Sequence, residues 1–586
     1  MTFAMGTIAH RLARAVSLLP LACLFAFGPV APAGVIGGQS APRGPGQPVH
    51  QHGRFEHSFT SSKDYDNPLS GVRVTVEFRG PGGERGEAPA FWDGGRVWKV
   101  RFSPERAGEW SFTTRSSDES NAGLHSQGGR FRVSGYRGPN DLYRRGAPRL
   151  APNRRYLVQA DGKPWFWLAD TAWNGVLLAT REEWDRYLAD RARKKFTAVQ
   201  VVMTQWRAGR ADERGQAAFT GVESVRVHPE FFQRLDERID QINEYGLVGG
   251  LVLLWALTSK DNESPGAALP PEQAALLAGY MVARYGAHHV LWILGGDGNY
   301  RGENVERWKA IGRAVFPEDL RSAELARGAG AAAAGDARRR PVTMHPGGMH
   351  EPWAPYKDEP WLDVLFYQSG HGNNAKKWEW NATRGGAVDW KMDPPRPVID
   401  SEINYEGHVD YHTKGIVGEA QVRRAAYYSL LAAPPAGVTY GAHGVWYWSR
   451  KPEVPLDRPR SGIAEPWWEC LDYPGARQMQ VLREVFESVE WWRLRPDRSL
   501  LTEDVDDPEW VRYPMPARSE SGDFALIYLP GNESFSLNLA AFGKPVTAAW
   551  IDPRTGARTP AGRLAAQPAV VVKTPGAGDW LLHLRR

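Results

Sequence analysis

Cysteine is nearly absent: the 586-residue chain has two, Cys23 and Cys470. Cys23 sits in an apolar stretch, Ala15 to Val30, preceded by His10, Arg11 and Arg14 and followed by Ala31-Pro32-Ala33. A basic segment, an apolar core and a small-residue motif in that order predict a secretory leader over 1–33, and hence an exported protein. Once the leader is removed one cysteine remains, which excludes an intrachain disulfide and zinc sites built on cysteine pairs. An exported chain without disulfides must draw its stability from core burial. An excess of one charge is missing as well. Lys and Arg number 72 against 67 Asp and Glu, a net +5, so there is no concentrated basic face of the kind nucleic acid requires. No apolar run beyond the leader reaches membrane length, which excludes a multispan membrane protein.

Aromatic rings are what the chain has in quantity: 25 Trp, 20 Tyr and 21 Phe. Most such rings fill cores, but flat apolar rings are also the surface on which sugar faces pack. Residues 34–50 are rich in Gly and Pro and read as a linker. From 51 to 135 apolar residues alternate at period two (Val72, Val74, Val76, Phe78; Trp98, Val100, Phe102; Trp110, Phe112), with Gly/Pro/Asp turns between them, as in a β-sandwich. From 496 to 586 short strands return: Phe524–Leu529, Phe535–Leu539, Ala548–Ile551, Val570–Val572 and Trp580–Leu584 predict a C-terminal β-sandwich.

Between these lies a different texture, over 150–490. Eight short apolar runs alternate with amphipathic helices: Trp165–Ala169, Ala198–Met203, Val248–Leu254, Val290–Leu294, Pro341–His345, Val364–Tyr367, Pro397–Ile399 and Val445–Trp448. Thr180 and Glu183 form a capping box. Pro229 opens a helix with Phe231, Leu235, Ile239 and Ile242 on one stripe, and Pro271 opens another. This pattern predicts an α/β fold, a (β/α)8 TIM barrel, ahead of an open doubly wound sheet, because no Gly-rich phosphate turn follows the first strand. An Ala/Gly/Arg-rich stretch, 325–340, reads as an insertion before the fifth strand.

In such a barrel the chemistry sits where strands end. The residues that follow the runs are Asp170 and Trp173; Gln205 and Trp206; Trp255; Asp297 and Asn299; His345; Gln368 and His371; Asp400 and Glu402; Trp446 and Trp448. Rings to stack on, and amides and imidazoles for hydroxyls, suit a sugar. Glycoside hydrolysis needs two carboxyl groups across the scissile bond. Asp297 after strand four and Glu402 after strand seven are the candidate catalytic pair, with Asp400 and Glu406 as neighbouring competitors. If Asp400 belongs to the strand, period two puts it on the same face as Glu402. The glycines beside Asp297 are expected to let substrate approach the backbone. Asp170, Trp173, Gln205, Trp206, Asn299, His345, Gln368, His371, Trp446 and Trp448 are candidate substrate contacts. His345, His350, His371 and His408 carry no metal-ligand spacing, so neither a metal nor a cofactor is expected.

Phe166-Trp167-Leu168-Ala169-Asp170-Thr171-Ala172-Trp173, Trp292 to Asn299 and Pro397 to Glu406 together resemble the apiosidase-like glycoside hydrolases, which include glycoside hydrolase family 140. The resemblance spans 150–490. It implies a retaining barrel with an acid/base after strand four, Asp297, and a nucleophile after strand seven, Glu402. In the broader retaining clan the strand-four motif is usually Asn-Glu. Here Asp takes the place of Glu, and the Asn follows at Asn299. Phe91-Trp92-Asp93-Gly94 with Gly108-Glu109-Trp110 looks like the β-sandwich that often precedes such barrels. Trp550 to Gly556 with Gly578-Asp579-Trp580 looks like a "collagen-binding" domain that often follows them, here read as structural support. The implied partner is a carbohydrate, with plant-type polysaccharide and apiose suggested by the family name. The sequence leaves two other readings open: a non-catalytic carbohydrate- or matrix-binding protein on a degenerate barrel, and a different retaining glycosidase such as an arabinofuranosidase or an endo-acting β-glycanase.

Overall fold

The computed structural model describes residues 49–257, 263–317, 340–502 and 507–586. The expected leader, the linker up to residue 48 and the expected insertion up to residue 339 lie outside the described residues. Val49–His50, expected as the end of the linker, is a short strand paired in parallel with Val133–Ser134.

Eight parallel strands form the central sheet: β1 Trp167–Thr171, β2 Ala198–Val202, β3 Val248–Trp255, β4 Val290–Gly296, β5 Val342–Thr343, β6 Leu365–Gln368, β7 Val398–Glu402 and β8 Gly437–Gly441. The ladder runs β5-β4-β3-β2-β1-β8-β7-β6, which is a TIM barrel with one seam. Loop atoms bridge that seam. Val342 N–H donates to the Asp363 carboxylate at 3.1 Å, Asp363 N–H to Val342 O at 2.9 Å, and Met349 N–H to Gln368 O at 2.8 Å. The strands are buried along their whole length, as parallel strands covered on both faces must be.

The helices outside the barrel follow from the stripes in the sequence. Helix α1, Arg181–Arg193, starts on the Thr180/Glu183 capping box. Helix α2, Pro229–Glu244, buries Phe231, Leu235, Ile239 and Ile242. Next come α3 Pro271–Tyr285, α4 Asn304–Val315, α5 Ala375–Thr383, α6 Glu419–Ala432 and α7 Pro474–Glu487.

Two strand expectations are corrected. The first barrel strand begins at Trp167; Pro164–Trp165 instead pairs with Leu157–Val158 in a small separate sheet. The eighth strand is Gly437–Gly441, and the expected Val445–Trp448 lies on a helical turn, His443–Tyr447, that ends with Trp448 at φ 66°. A four-residue apolar run does not distinguish strand from helix, and glycines on both sides hid the true strand.

The N-terminal domain has a five-stranded sheet and a three-stranded sheet, packed around Val76, Phe78, Val100, Phe102 and Trp110. The C-terminal domain has six strands and a two-stranded partner sheet around Ala525, Ile527, Val546, Leu582 and Leu584. Two of its strands, Met515–Ser519 and Arg558–Leu564, carry too few apolar residues in alternation to be recognised beforehand.

Candidate active site

At the C-terminal mouth of the barrel is a cavity of about 300 Å³. Its walls include Trp173, Trp206, Trp255 and Trp446; Asp297 and Glu402; Gln368, His371, Lys377, Tyr405, Tyr411 and Arg458. Trp206 and Trp255 are 4.3 Å apart between ring centroids, and Trp173 meets Trp255 edge-on at 5.3 Å. Three of the four rings are held at their polar edges. Trp173 donates to the Tyr405 hydroxyl at 3.1 Å, Trp206 to Asn174 at 2.7 Å and Trp446 to His443 at 3.0 Å. A buried indole whose N–H is engaged has a fixed plane, which a stacking wall needs.

Glu402 ends β7. Its Oε1 accepts from the Gln368 amide and, at 2.9 Å, from His371 Nε2; His345 Nε2 stands 3.2 Å from Oε2. The Tyr405 N–H points at His371 Nδ1 from 3.3 Å, so Nδ1 is the acceptor and the ring proton is on Nε2, facing Glu402. Ser401 Oγ lies 2.7 Å from His345 Nδ1 and donates to Tyr367 O at 3.0 Å, which fixes the His345 ring. Burial pushes the Glu402 pKa up. Hydrogen bonding from His345 and His371, with the electrostatics of the two rings adding, outweighs it and holds the carboxyl well below the usual range.

Asp297 follows β4 at φ 46°, a left-handed conformation that Asp tolerates better than most residues. Its side chain is 21% exposed, with Arg458 Nη2 3.7 Å from Oδ2. Burial raises its pKa to about 6. Arg458 opposes that rise and the charge of Glu402 adds to it. The glycines before it, expected from sequence to let substrate approach, are packed against rings. A Cβ on Gly296 would lie 2.5 Å from the Trp255 ring, and one on Gly295 2.7 Å from the Trp308 ring. They admit aromatic neighbours around the strand end.

Of the expected site residues, the cavity brings together Asp297, Glu402, Trp173, Trp206, Gln368, His371 and Trp446. His345 stands behind Glu402, fully buried. The others lie elsewhere. Asp170 faces the helix layer, where its carboxylate accepts from Tyr187 at 2.8 Å and from Arg191 at 2.6 Å. Both ends of the Gln205 amide hold the loop backbone at Ala218 and Phe219. Asn299 accepts from Arg301. Trp448 stacks on Trp467 at 4.7 Å and packs on Trp184 and Tyr187. These four are corrections with one cause: proximity to a strand end does not fix which way a side chain turns. The competitor Glu406 is engaged structurally, by the Tyr440 hydroxyl at 2.7 Å and Gly475 N–H at 3.1 Å. Lys377, Tyr405, Tyr411 and Arg458 line the cavity without having been singled out. They come from helix α5 and from the long loops after β7 and β8, where no periodicity marks them. Trp255, noted only as the end of strand three, is the residue the aromatic pattern did offer. Among the described residues no three His, Cys, Asp or Glu side chains group as metal ligands, and no helix is long and apolar enough to cross a membrane.

No protein of curated function matches the chain by sequence. A "putative glycoside hydrolase" of Bacteroides vulgatus ATCC 8482 superposes with a TM-score of 0.65 at 18% identity, over 92% of this chain and 100% of that one. A family 5 glycoside hydrolase of the same organism gives 0.62 at 21% identity, over 75% and 93%. At these identities the likeness is one of fold. The "Domain of unknown function (DUF5060)" model matches residues 48–117, and that of the "Putative collagen-binding domain of a collagenase" matches 495–585. Residues 151–493, the barrel and its whole cavity, match the model "Apiosidase-like, catalytic domain", and over that span the chain belongs to the apiosidase-like family.

Proposed function

We propose that this protein is an exported, retaining glycoside hydrolase acting on a plant-type or other complex glycan, with Glu402 as nucleophile and Asp297 as acid/base. One observation carries the reading. Two carboxyl groups line one cavity, and their surroundings push them to opposite protonation states: Glu402 is held ionised and Asp297 is raised to about 6. That division of labour is what a glycosidase needs from its pair.

A Glu402 oxygen attacks the anomeric carbon as the glycosidic C–O bond breaks, and the Asp297 proton passes to the leaving oxygen. Water then attacks the glycosyl-enzyme ester, Asp297 takes its proton, and Glu402 leaves as carboxylate. Gln368 and His371 hold Glu402 Oε1 and so aim the other oxygen. Trp173, Trp206, Trp255 and Trp446 supply rings for the sugar faces.

The test is hydrolysis of a panel of plant oligosaccharides and aryl glycosides, apiosides included, by wild type, Asp297→Ala and Glu402→Ala. Wild type should release sugar with the anomeric configuration retained, and each variant should lose activity, with azide restoring part of it. Inverted product, or activity surviving either change, would reject the assignment. A wild type that binds glycans but cleaves none would point to a carbohydrate-binding protein instead. Export predicts a mature N-terminus after Ala33 in protein recovered from cells.

A further inference from the structure

We propose that Asp400 is a positioning residue for Glu402: its carboxylate stands in for the sheet ladder at a bulge in β7 and so turns Glu402 into the cavity. The proposal rests on the reading of Glu402 as nucleophile.

The register of β6 against β7 breaks at this point. Leu365, Phe366 and Tyr367 pair with Val398, Ile399 and Asp400, but the next residue, Gln368, pairs with Glu402. Ser401 is thus the extra residue of a β-bulge, which leaves backbone groups unpaired and re-aims the side chains that follow. Asp400 satisfies the freed donors. Its Oδ1 accepts the Ser369 N–H at 3.2 Å and the Glu402 N–H at 3.3 Å. Its Oδ2 accepts the Ser429 hydroxyl at 2.7 Å, which places the side chain on the α6 side of the sheet. One buried carboxylate therefore ties together the ends of β6 and β7 and the covering helix.

The bulge also decides which carboxylate reaches substrate. In an unbroken strand Asp400 and Glu402 would share a face. With Ser401 inserted, Asp400 faces helix α6, Ser401 meets His345, and Glu402 lies opposite Gln368 in reach of His371. Buried N–H groups left without acceptors would relax the turn, and a nucleophile displaced by about 1 Å costs about a hundredfold in rate.

The experiment compares full-length wild type, Asp400→Ala and Asp400→Asn by hydrogen exchange, read on peptides spanning 365–372 and 398–405, and by kinetics on a substrate that wild type cleaves. For Asp400→Ala, exchange at the Ser369 and Glu402 amides should rise about tenfold, the effect of losing a buried hydrogen-bond acceptor. Its kcat should fall about a hundredfold with KM close to wild type. Asp400→Asn keeps the Oδ1 acceptor, so it should restore protection and recover about tenfold of the rate. Unchanged exchange in Asp400→Ala overturns the proposal. So does faster exchange with kcat intact, or an Asn variant as impaired as the Ala variant in both readouts. If wild type cleaved nothing, the glycosidase reading would fall separately, and exchange would still decide whether Asp400 holds the two amides.

Discussion

The two carboxyl groups at the mouth differ through their immediate neighbours. Glu402 is met by two imidazoles and an amide, Asp297 by one guanidinium at the edge of contact. In the proposed mechanism Asp297 is the acid and must enter the reaction protonated. With its pKa at about 6, kcat/KM should fall as pH rises through about 6, giving the alkaline limb of the free enzyme's profile. Arg458 favours the ionised form of Asp297, so Arg458→Gln should move that limb to higher pH, by about one unit or less for a partly exposed pair. A pH–rate profile of both proteins checks the sign. A third carboxyl group offers a test free of catalysis. Asp389 Oδ2 is buried without a partner, and burial, with the charge of Glu351 adding, raises its pKa to about 8. Folded protein therefore holds a proton there that unfolded chain releases near 4, so stability is lost as pH rises from about 4 to 8. Asp389→Asn should match wild type near pH 4 and exceed it by up to about 5 kcal/mol at pH 8. Denaturant unfolding at the two pH values measures the difference.

At the scale of elements, strand direction decides which polar residues reach the cavity. Asp170 lies within β1 and is fully buried with Arg191, so its task is to anchor α1. Asp170→Ala would leave a buried guanidinium without its counter-ion and should cost about 3–5 kcal/mol of stability. Unfolding should show that loss while KM stays near wild type; a raised KM with stability intact would make Asp170 a substrate contact after all. The same distinction explains what the sequence could reveal. Strands β2, β3 and β4 were visible because strands covered on both faces read as near-continuous apolar runs, interrupted in β2 only by Gln200. Strand β8 was not, since Gly437-Val438-Thr439-Tyr440-Gly441 offers three ordinary strand residues beside the louder Val445-Trp446-Tyr447-Trp448. Asp297 and Glu402 could be located as carboxylates just beyond apolar runs. The bulge that separates Glu402 from Asp400 could not, because one inserted residue leaves no mark on composition. Nor could Lys377, Tyr405, Tyr411 and Arg458, which reach the cavity through the course of helix α5 and the long loops.

The whole molecule is held together by buried ion pairs where its domains meet. On the N-terminal side Asp236 of α2 receives Arg101 of the β-sandwich at 3.0 Å, and Arg284 of α3 by two bonds at 2.8 and 2.7 Å. Both guanidinium groups also lie over the Phe91 ring, Arg101 at 5.1 Å and Arg284 at 4.8 Å from its centroid. On the C-terminal side Arg423 of α6 makes a two-bond pair with Asp579, which also accepts from Tyr528. Each pair joins a β-domain to the barrel far along the sequence, so domain loss and barrel stability should be coupled. Burial alone would raise the Asp236 pKa; the two arginines outweigh it and hold the carboxyl far below the usual range. Its contribution is therefore present above the unfolded value near 4 and declines as pH falls below it. Asp236→Ala strands two buried cations and should cost about 3–5 kcal/mol at pH 7. The gap from wild type should narrow on acidification below about pH 4, because unfolded wild type then gains a proton that the folded form still refuses. Unfolding of both proteins at pH 7 and pH 3 decides it. A gap that does not narrow would mean that packing around Phe91, rather than the charge on Asp236, holds the β-sandwich to the barrel.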